Sequence, residues 1–294
     1  ALILTASHNP TPWNGLKLIR ADGIFLNAHD GALGESAYHE SRVRTAPAPG
    51  TSESVDSDTV RKRHFERLLA AIYVDLIRGA RLRAAVDPCN GAGAIYAKQL
   101  LDLLGVEAHL IHAEPNGEFA HDPEPIPENL IDLGRKVTDA DCHIGFAIDP
   151  DADRVALVGA DGEPLGEDLT LALAVQSVTA RERGPVVTTL STSQVVSDAA
   201  TANGCPVILT PVGEVNVMDA MIAEGAVIGG EGNGGVILPT VDPGRDAAVG
   251  MALVLEAMAR SRQPLYRMVG RLPRYVIEKR KVSDVDVQDQ QRAI

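Results

Sequence analysis

Residues 142–148, Cys-His-Ile-Gly-Phe-Ala-Ile, form a near-continuous apolar run that delivers the chain into Asp149-Pro150-Asp151-Ala152-Asp153-Arg154. A strand without polar alternation must be covered on both faces, which is the position of a strand inside a mainly parallel sheet flanked by helices. The same kind of segment recurs along the chain. Residues 82–86, 107–112, 186–190, 207–210 and 226–229 read as strands, and 95–104, 130–140, 169–179, 193–203, 217–222 and 246–261 as helices. Gly105 and Gly204 stand where helix C-caps fall. This alternation predicts an α/β fold of consecutive domains, each a mainly parallel sheet between helices. A length of 294 residues leaves room for more than one such unit, and a hydrophobic share of 45% with only 3% aromatics predicts aliphatic cores.

The composition shifts place one domain over residues 1–75, a second over 76–170, a third over 171–282 and the start of a linker over 283–294. In the first, 1–4 predicts a buried strand, and Asp22-Gly23 a hairpin between 16–19 and 23–26. Residues 45–58 predict a surface loop, and Phe65, Leu68, Leu69, Ile72 and Leu76 one amphipathic helix over 60–77. Residues 155–158 with the turn at 159–162 predict a hairpin, and 275–282 a last strand leaving the third domain. The chain starts with Ala inside a predicted strand and stops abruptly, as a piece of a longer protein does.

A net charge of −13 excludes nucleic acid or an anionic membrane as a global partner, and an anionic substrate then needs a local cationic pocket. Cys89, Cys142 and Cys205 are odd in number and lie in or beside apolar runs, which predicts buried free thiols in a reducing, cytoplasmic compartment. No apolar run has the length of a membrane span, and no signal peptide is visible.

Three stretches carry chemistry. Asp149, Asp151 and Asp153 alternate with small residues, so in an extended loop all three converge. Their charges repel unless a cation sits among them, and an all-oxygen set selects Mg²⁺ or Ca²⁺. An EF-hand is excluded, because Arg154 and Ala160 stand where Gly and Glu belong. Arg154 beside the cluster suits a phosphate. The second stretch, Thr5-Ala6-Ser7-His8-Asn9-Pro10 with Asn14-Gly15-Leu16-Lys17, places a hydroxyl, an imidazole and an amine on one loop: an acceptor, a proton carrier and a charge neutraliser. The third, Gly230-Glu231-Gly232-Asn233-Gly234-Gly235, contains G-x-G-x-x-G, but a strand-like run follows where a dinucleotide site needs a helix. Glu231 there suits hydroxyls of a small polar ligand. Asn90-Gly91-Ala92-Gly93 lacks the spacing of a nucleotide fingerprint and reads as a structural turn.

In this order, the three stretches resemble the active-serine, metal-binding and sugar-recognition loops of the α-D-phosphohexomutases: phosphoglucomutases, phosphomannomutases and phosphoglucosamine mutases. The family pattern usually has Gly at Pro150 and Ala152, and Ser at Asn233. The resemblance implies that Ser7 carries the phosphoryl group. It implies Mg²⁺ held by Asp149, Asp151 and Asp153 with an oxygen of phosphorylated Ser7. Proton transfer falls to His8 and Lys17, with Lys17 needing nearby cations to depress its pKa. Arg154 would steady the phosphoryl group, and Glu231, Gly232 and Asn233 would read the sugar. The partners implied are a hexose phosphate and its 1,6-bisphosphate. The form of the third loop favours glucosamine 6-phosphate to glucosamine 1-phosphate, with phosphomannomutase or phosphoglucomutase next. The resemblance places a fourth, phosphate-clamping domain outside this chain. The loop around 210–218 often carries a basic residue in the family; here it offers Glu214 and Met218, and no cation. Other classes remain open: a serine hydrolase through Ser7 and His8, though G-x-S-x-G is absent, or a catalytically inactive sugar-phosphate-binding fragment.

Overall fold

The computed structural model describes residues 1–9, 12–40 and 56–276. In chain order the elements are β1 (Leu2–Leu4), β2 (Leu16–Leu18), α1 (Ala28–Glu40), α2 (Ser57–Ala70), α3 (Val74–Ala80), β3 (Arg83–Asp87), α4 (Ala97–Leu103), β4 (Glu107–Leu110), α5 (Ile131–Asp139), β5 (Ile144–Ile148) and β6 (Val155–Gly159). There follow α6 (Asp168–Thr179), β7 (Val186–Thr189), α7 (Gln194–Thr201), β8 (Val207–Thr210), α8 (Glu214–Glu224), β9 (Ile228–Glu231), β10 (Gly235–Ile237), α9 (Ala247–Ser261) and α10 (Leu265–Val269).

Two four-stranded sheets result, ordered β4-β3-β5-β6 and β10-β9-β7-β8. In each, three strands run parallel and the last edge strand, β6 or β10, runs antiparallel. Strands β5, β6 and β7 are buried along their whole length, as their unbroken apolar sequences require. Helices α6 and α9 bury nearly every side chain, and they share one continuous core with residues of both sheets. Small residues make this possible: a Cβ on Gly250 would lie 2.8 Å from Val155 Cγ1, so α9 sits directly against β6. All three cysteines are buried and free. Among the described residues, no helix is long and apolar enough to cross a membrane.

Several sequence expectations need correction. The strand at residues 1–4 is not buried. It pairs antiparallel with β2 and, among the described residues, with nothing else, so Leu2 and Leu4 stay 54% and 67% exposed. The expected helix over 60–77 is broken into α2 and α3, because buried Glu256 of α9 takes the Tyr73 N–H at 2.8 Å and holds the chain out of helix there. Residues 92–95 form a 3₁₀ turn before α4, since the Ala92 N–H goes to the Pro150 carbonyl at 2.8 Å. The hairpin at 155–162 forms, short: Gly159 N–H donates to Glu163 O and Leu165 N–H to Leu157 O, both at 2.9 Å, around the Val158 to Pro164 bridge, and the long partner of β6 is β5. Helix α8 starts three residues earlier than expected, and β9 runs two residues further, which puts Glu231 at a strand end. The Asp22-Gly23 hairpin forms, with Ile19 bridged to Phe25 and Gly23 at φ 89°. The expected loop at 45–58 lies outside the described residues up to residue 55. The strand at 275–282 lies outside them beyond residue 276, as does all of the 283–294 linker.

Candidate active site

The acidic stretch is the connection between β5 and β6. Ile148 pairs with Val155, and residues 149–154 turn between them. The turn is tightened by the Ala152 N–H donating to Asp149 O at 3.0 Å. Ala152 sits at φ 62°, a conformation that costs a residue with a Cβ about 1–2 kcal/mol. That is the physical reason a glycine suits this position.

Asp149 is fully buried. Its Oδ1 accepts the N–H groups of Asp153 and Arg154 at 3.1 and 3.0 Å, and its Oδ2 accepts Arg154 Nε at 3.0 Å. Burial, with the charge of Asp153 close by, pushes its carboxyl up from the usual range. Burial acts in the same direction on Asp153, but Arg245, Lys17 and Arg154 outweigh it and hold that carboxyl low. Carboxylate oxygens of Asp149, Asp151 and Asp153 lie within 4.8 Å of one another, and Oδ1 of Asp151 and of Asp153 are buried without a hydrogen-bond partner. Orphaned, converging, all-oxygen donors fit a hard divalent cation. Arg154 is 3% exposed, and its Nη2 is also buried without a partner.

The serine loop lies on this turn. Thr5 Oγ1 donates to Asp151 Oδ2 at 3.0 Å and accepts the Ser7 N–H at 2.9 Å. Ser7 adopts φ 52°, and its Oγ lies 3.2 Å from His8 Nδ1. Burial, with Arg154 nearby, lowers the His8 pKa, so the imidazole is neutral at pH 7. Lys17 Nζ donates to Asp151 Oδ2 at 2.8 Å and Asp153 Oδ2 at 3.3 Å. These carboxylates overcome the burial of Lys17 and raise its pKa. Among the described residues, the cations that would depress Lys17 do not face it: the group is an ammonium held among anions.

The third loop rests on the acidic turn. Val155 N–H donates to Gly234 O at 3.1 Å, and the Ala247 N–H at the start of α9 donates to Ala152 O at 3.1 Å. Gly230, at φ 155°, comes so close to Gly235 O that a Cβ would overlap it. Glu231 is 6% exposed; its Oε1 accepts the Gly213 N–H at 3.0 Å. Gly232 N–H donates to Thr192 Oγ1 at 3.1 Å, and Asn233 Oδ1 accepts the Gly235 N–H at 3.2 Å, so the Asn233 side chain also shapes its own turn.

Arg245 is the cation that sequence reading missed. Its guanidinium donates to Asp153 Oδ2 and to Glu231 Oε2, both at 2.5 Å, and its Nε lies 3.2 Å from Glu214 Oε2. One arginine thus joins the acidic turn, the start of α8 and the glycine-rich loop. Arg245 lies 92 residues from Asp153 in an irregular stretch, and only the Arg-Asp pair before an apolar helix marks it. With Lys17, Asp151, Asp153 and Glu214 it lines a cavity of about 230 Å³.

The family models for the phosphoglucomutase/phosphomannomutase α/β/α domains II and III match residues 62–162 and 166–275. The chain belongs to the α-D-phosphohexomutase family. A phosphoglucomutase/phosphomannomutase of Thermococcus kodakarensis is 35% identical over 93% of this chain and 60% of its own length. A protein of Methanopyrus kandleri named as a probable phosphoglucosamine mutase is 34% identical over 97% of this chain and 63% of its own. Among solved structures, a phosphoglucomutase/phosphomannomutase family protein from Burkholderia thailandensis superposes with a TM-score of 0.78 at 26% identity, covering 94% of this chain and 58% of its own. The chain spans about three fifths of the length of the curated relatives it matches.

Proposed function

We propose that this chain carries the phosphoryl-transfer centre of a phosphohexomutase, with Ser7 as the phosphoryl carrier and glucosamine phosphate as the sugar. The observation that carries the reading is the docking of the serine loop on the acidic turn through Thr5 and Lys17, beside orphaned oxygens of Asp151 and Asp153.

In the half-reaction that loads the protein, Ser7 Oγ forms a bond to phosphorus of a hexose 1,6-bisphosphate, and the bond from phosphorus to the sugar oxygen breaks. The Ser7 proton passes to neutral His8 Nδ1, 3.2 Å away. The departing sugar oxygen takes a proton from the Lys17 ammonium. In the other half-reaction phosphorylated Ser7 gives its phosphoryl group to the free hydroxyl of a hexose monophosphate, His8 returning the proton to Ser7 Oγ, and the bisphosphate so formed turns over and gives its other phosphoryl group back to Ser7. Asp149, Asp151 and Asp153, with an oxygen of phosphorylated Ser7, would hold Mg²⁺, which supplies charge neutralisation at the phosphoryl oxygens. Arg154, fixed by Asp149, offers its free Nη2 to the same group. Glu231, Gly232 and Asn233 would read the sugar, with Glu231 aimed by Arg245.

Glucosamine is favoured by the form of the glycine-rich loop and by the name of the Methanopyrus relative; the name of the Thermococcus relative favours mannose or glucose phosphate as the second reading. The test is the rate at which glucosamine, mannose and glucose 1-phosphates each remove the phosphoryl group from Ser7. The fastest discharge is expected with the glucosamine ester. Faster discharge by mannose or glucose 1-phosphate replaces the substrate; discharge by water alone overturns the mutase reading in favour of a hydrolase.

A further inference from the structure

The loops after β3 and β4 gather a second set of ligand-type side chains, separate from the three aspartates. Asp87 ends β3 and is 2% exposed. Its Oδ2 lies 2.9 Å from His112 Nδ1 and 3.1 Å from His121 Nε2, and the three ligand atoms lie within 4.8 Å of one another. The two rings meet edge to face with centroids 5.5 Å apart.

The hydrogen bond on its far nitrogen orients His121. Its Nδ1 lies 2.7 Å from the Asp122 carbonyl, which only accepts, so the ring N–H belongs there. In the neutral ring Nε2 then carries a lone pair aimed at a carboxylate oxygen. That lone pair must hold either a second proton or a cation. His121 is therefore backed by an oxygen on the nitrogen turned away from Asp87, which is how metal-binding histidines are oriented. His112 likewise turns its Nδ1 to Asp87, while its Nε2 lies 4.0 Å from the Asp132 carboxylate, beyond hydrogen-bond reach. The remaining Asp87 oxygen, Oδ1, accepts the Cys89 N–H at 2.9 Å and fixes the carboxylate.

We propose that Asp87, His112 and His121 form a binding site for a transition-metal ion of the zinc class. Two imidazole nitrogens and one carboxylate oxygen suit such an ion and not Mg²⁺. Bonds of about 2.0–2.2 Å in a tetrahedral set separate donors by roughly 3.3–3.6 Å, so the observed 2.9 and 3.1 Å widen by a few tenths of an ångström on loading. The fourth position falls to water. The ion would clasp the 112–121 loop to the end of β3. Pro115, Asn116 and Phe119 of that loop line a cavity of about 430 Å³ together with Ser7 and Trp13, so the clasp would set one wall of the space before the serine.

The test is Zn²⁺ titration into the chelator-treated chain under excess Mg²⁺, with competition by a chromophoric chelator. One Zn²⁺ per chain is expected, and the same stoichiometry in a D149N/D151N variant. His112→Gln, His121→Gln and Asp87→Asn should each weaken binding about tenfold or more. Failure to retain Zn²⁺, or uptake that His112→Gln and His121→Gln leave unchanged, overturns the proposal. Histidine ¹⁵N NMR of the unsubstituted chain answers even if a variant fails to fold. His121 Nε2 and His112 Nδ1 should move to metal-bound positions on Zn²⁺ addition; unmoved resonances overturn it as well. Neither readout involves phosphoryl transfer, so the result stands apart from the mutase reading.

Discussion

Arg245 decides the charge balance of the site. It answers Asp153, Glu214 and Glu231, three carboxylates that are each nearly out of solvent. Removing one partner of a buried ionic group leaves uncompensated charge, at a cost of about 3–5 kcal/mol. Arg245→Ala is therefore expected to lower the urea unfolding free energy at pH 8 by about that amount. Burial already raises the Glu214 pKa against the pull of Arg245, and losing the arginine raises it further. A folded-state pKa above the unfolded one makes the ionised form the penalised one, so the penalty is present at high pH and is relieved as pH falls through the folded value. The variant should accordingly lose less stability at pH 5 than at pH 8. An equal loss at both would place the damage in packing and not in charge. Arg245 also shows where sequence reading ends at this scale. The three aspartates are legible because they are contiguous and follow an apolar strand. The partners of Arg245 and Thr5 on the acidic turn, Asp153 and Asp151, are 92 and 146 residues away, and no local pattern encodes such a distance.

The elements that carry the site are anchored by their ends. Asp246 caps α9, its Oδ1 accepting the N–H groups of Ala248 and Val249, while its Oδ2 lies 2.9 Å from His64 Nε2 of α2. The hydrogen bond to Asp246 leads in raising the His64 pKa. A raised histidine pKa contributes stability fully below the unfolded value, near 6.5, and loses it as pH rises through the folded value. His64→Gln should flatten that part of the stability–pH curve in thermal melts; an unchanged slope would mean that the ion pair contributes nothing. The strands and most helices follow from period and capping, which are local. The break between α2 and α3 does not. Residues 60–77 contain no proline, and their only signal is helical; the break comes from Glu256, 183 residues after Tyr73. The exposed β1 is a similar case: an apolar run signals a strand, while its burial depends on what covers it.

At the scale of the whole molecule, Glu256 ties the two halves together. It is fully buried in α9, and its carboxylate receives Tyr73 N–H, Ser177 Oγ of α6 and Arg260 Nη2 at 2.8–2.9 Å. Glu256→Ala should cost about 3–5 kcal/mol and unfold the chain in one transition, because α9 belongs to the core that both sheets share. Two separated transitions would show that the halves fold independently. The same junction lays the serine loop, the acidic turn and the glycine-rich loop on one another, and the proposed phosphoryl transfer at Ser7 depends on that convergence. Its most direct test is mass-spectrometric phosphosite mapping after incubation with glucosamine 1,6-bisphosphate and Mg²⁺. The expected result is one phosphoryl group on Ser7, absent in Ser7→Ala and lost when Mg²⁺ is withheld or Asp151 is changed to Asn. A phosphoryl group on another residue, or none on Ser7 with the metal present, would contradict it.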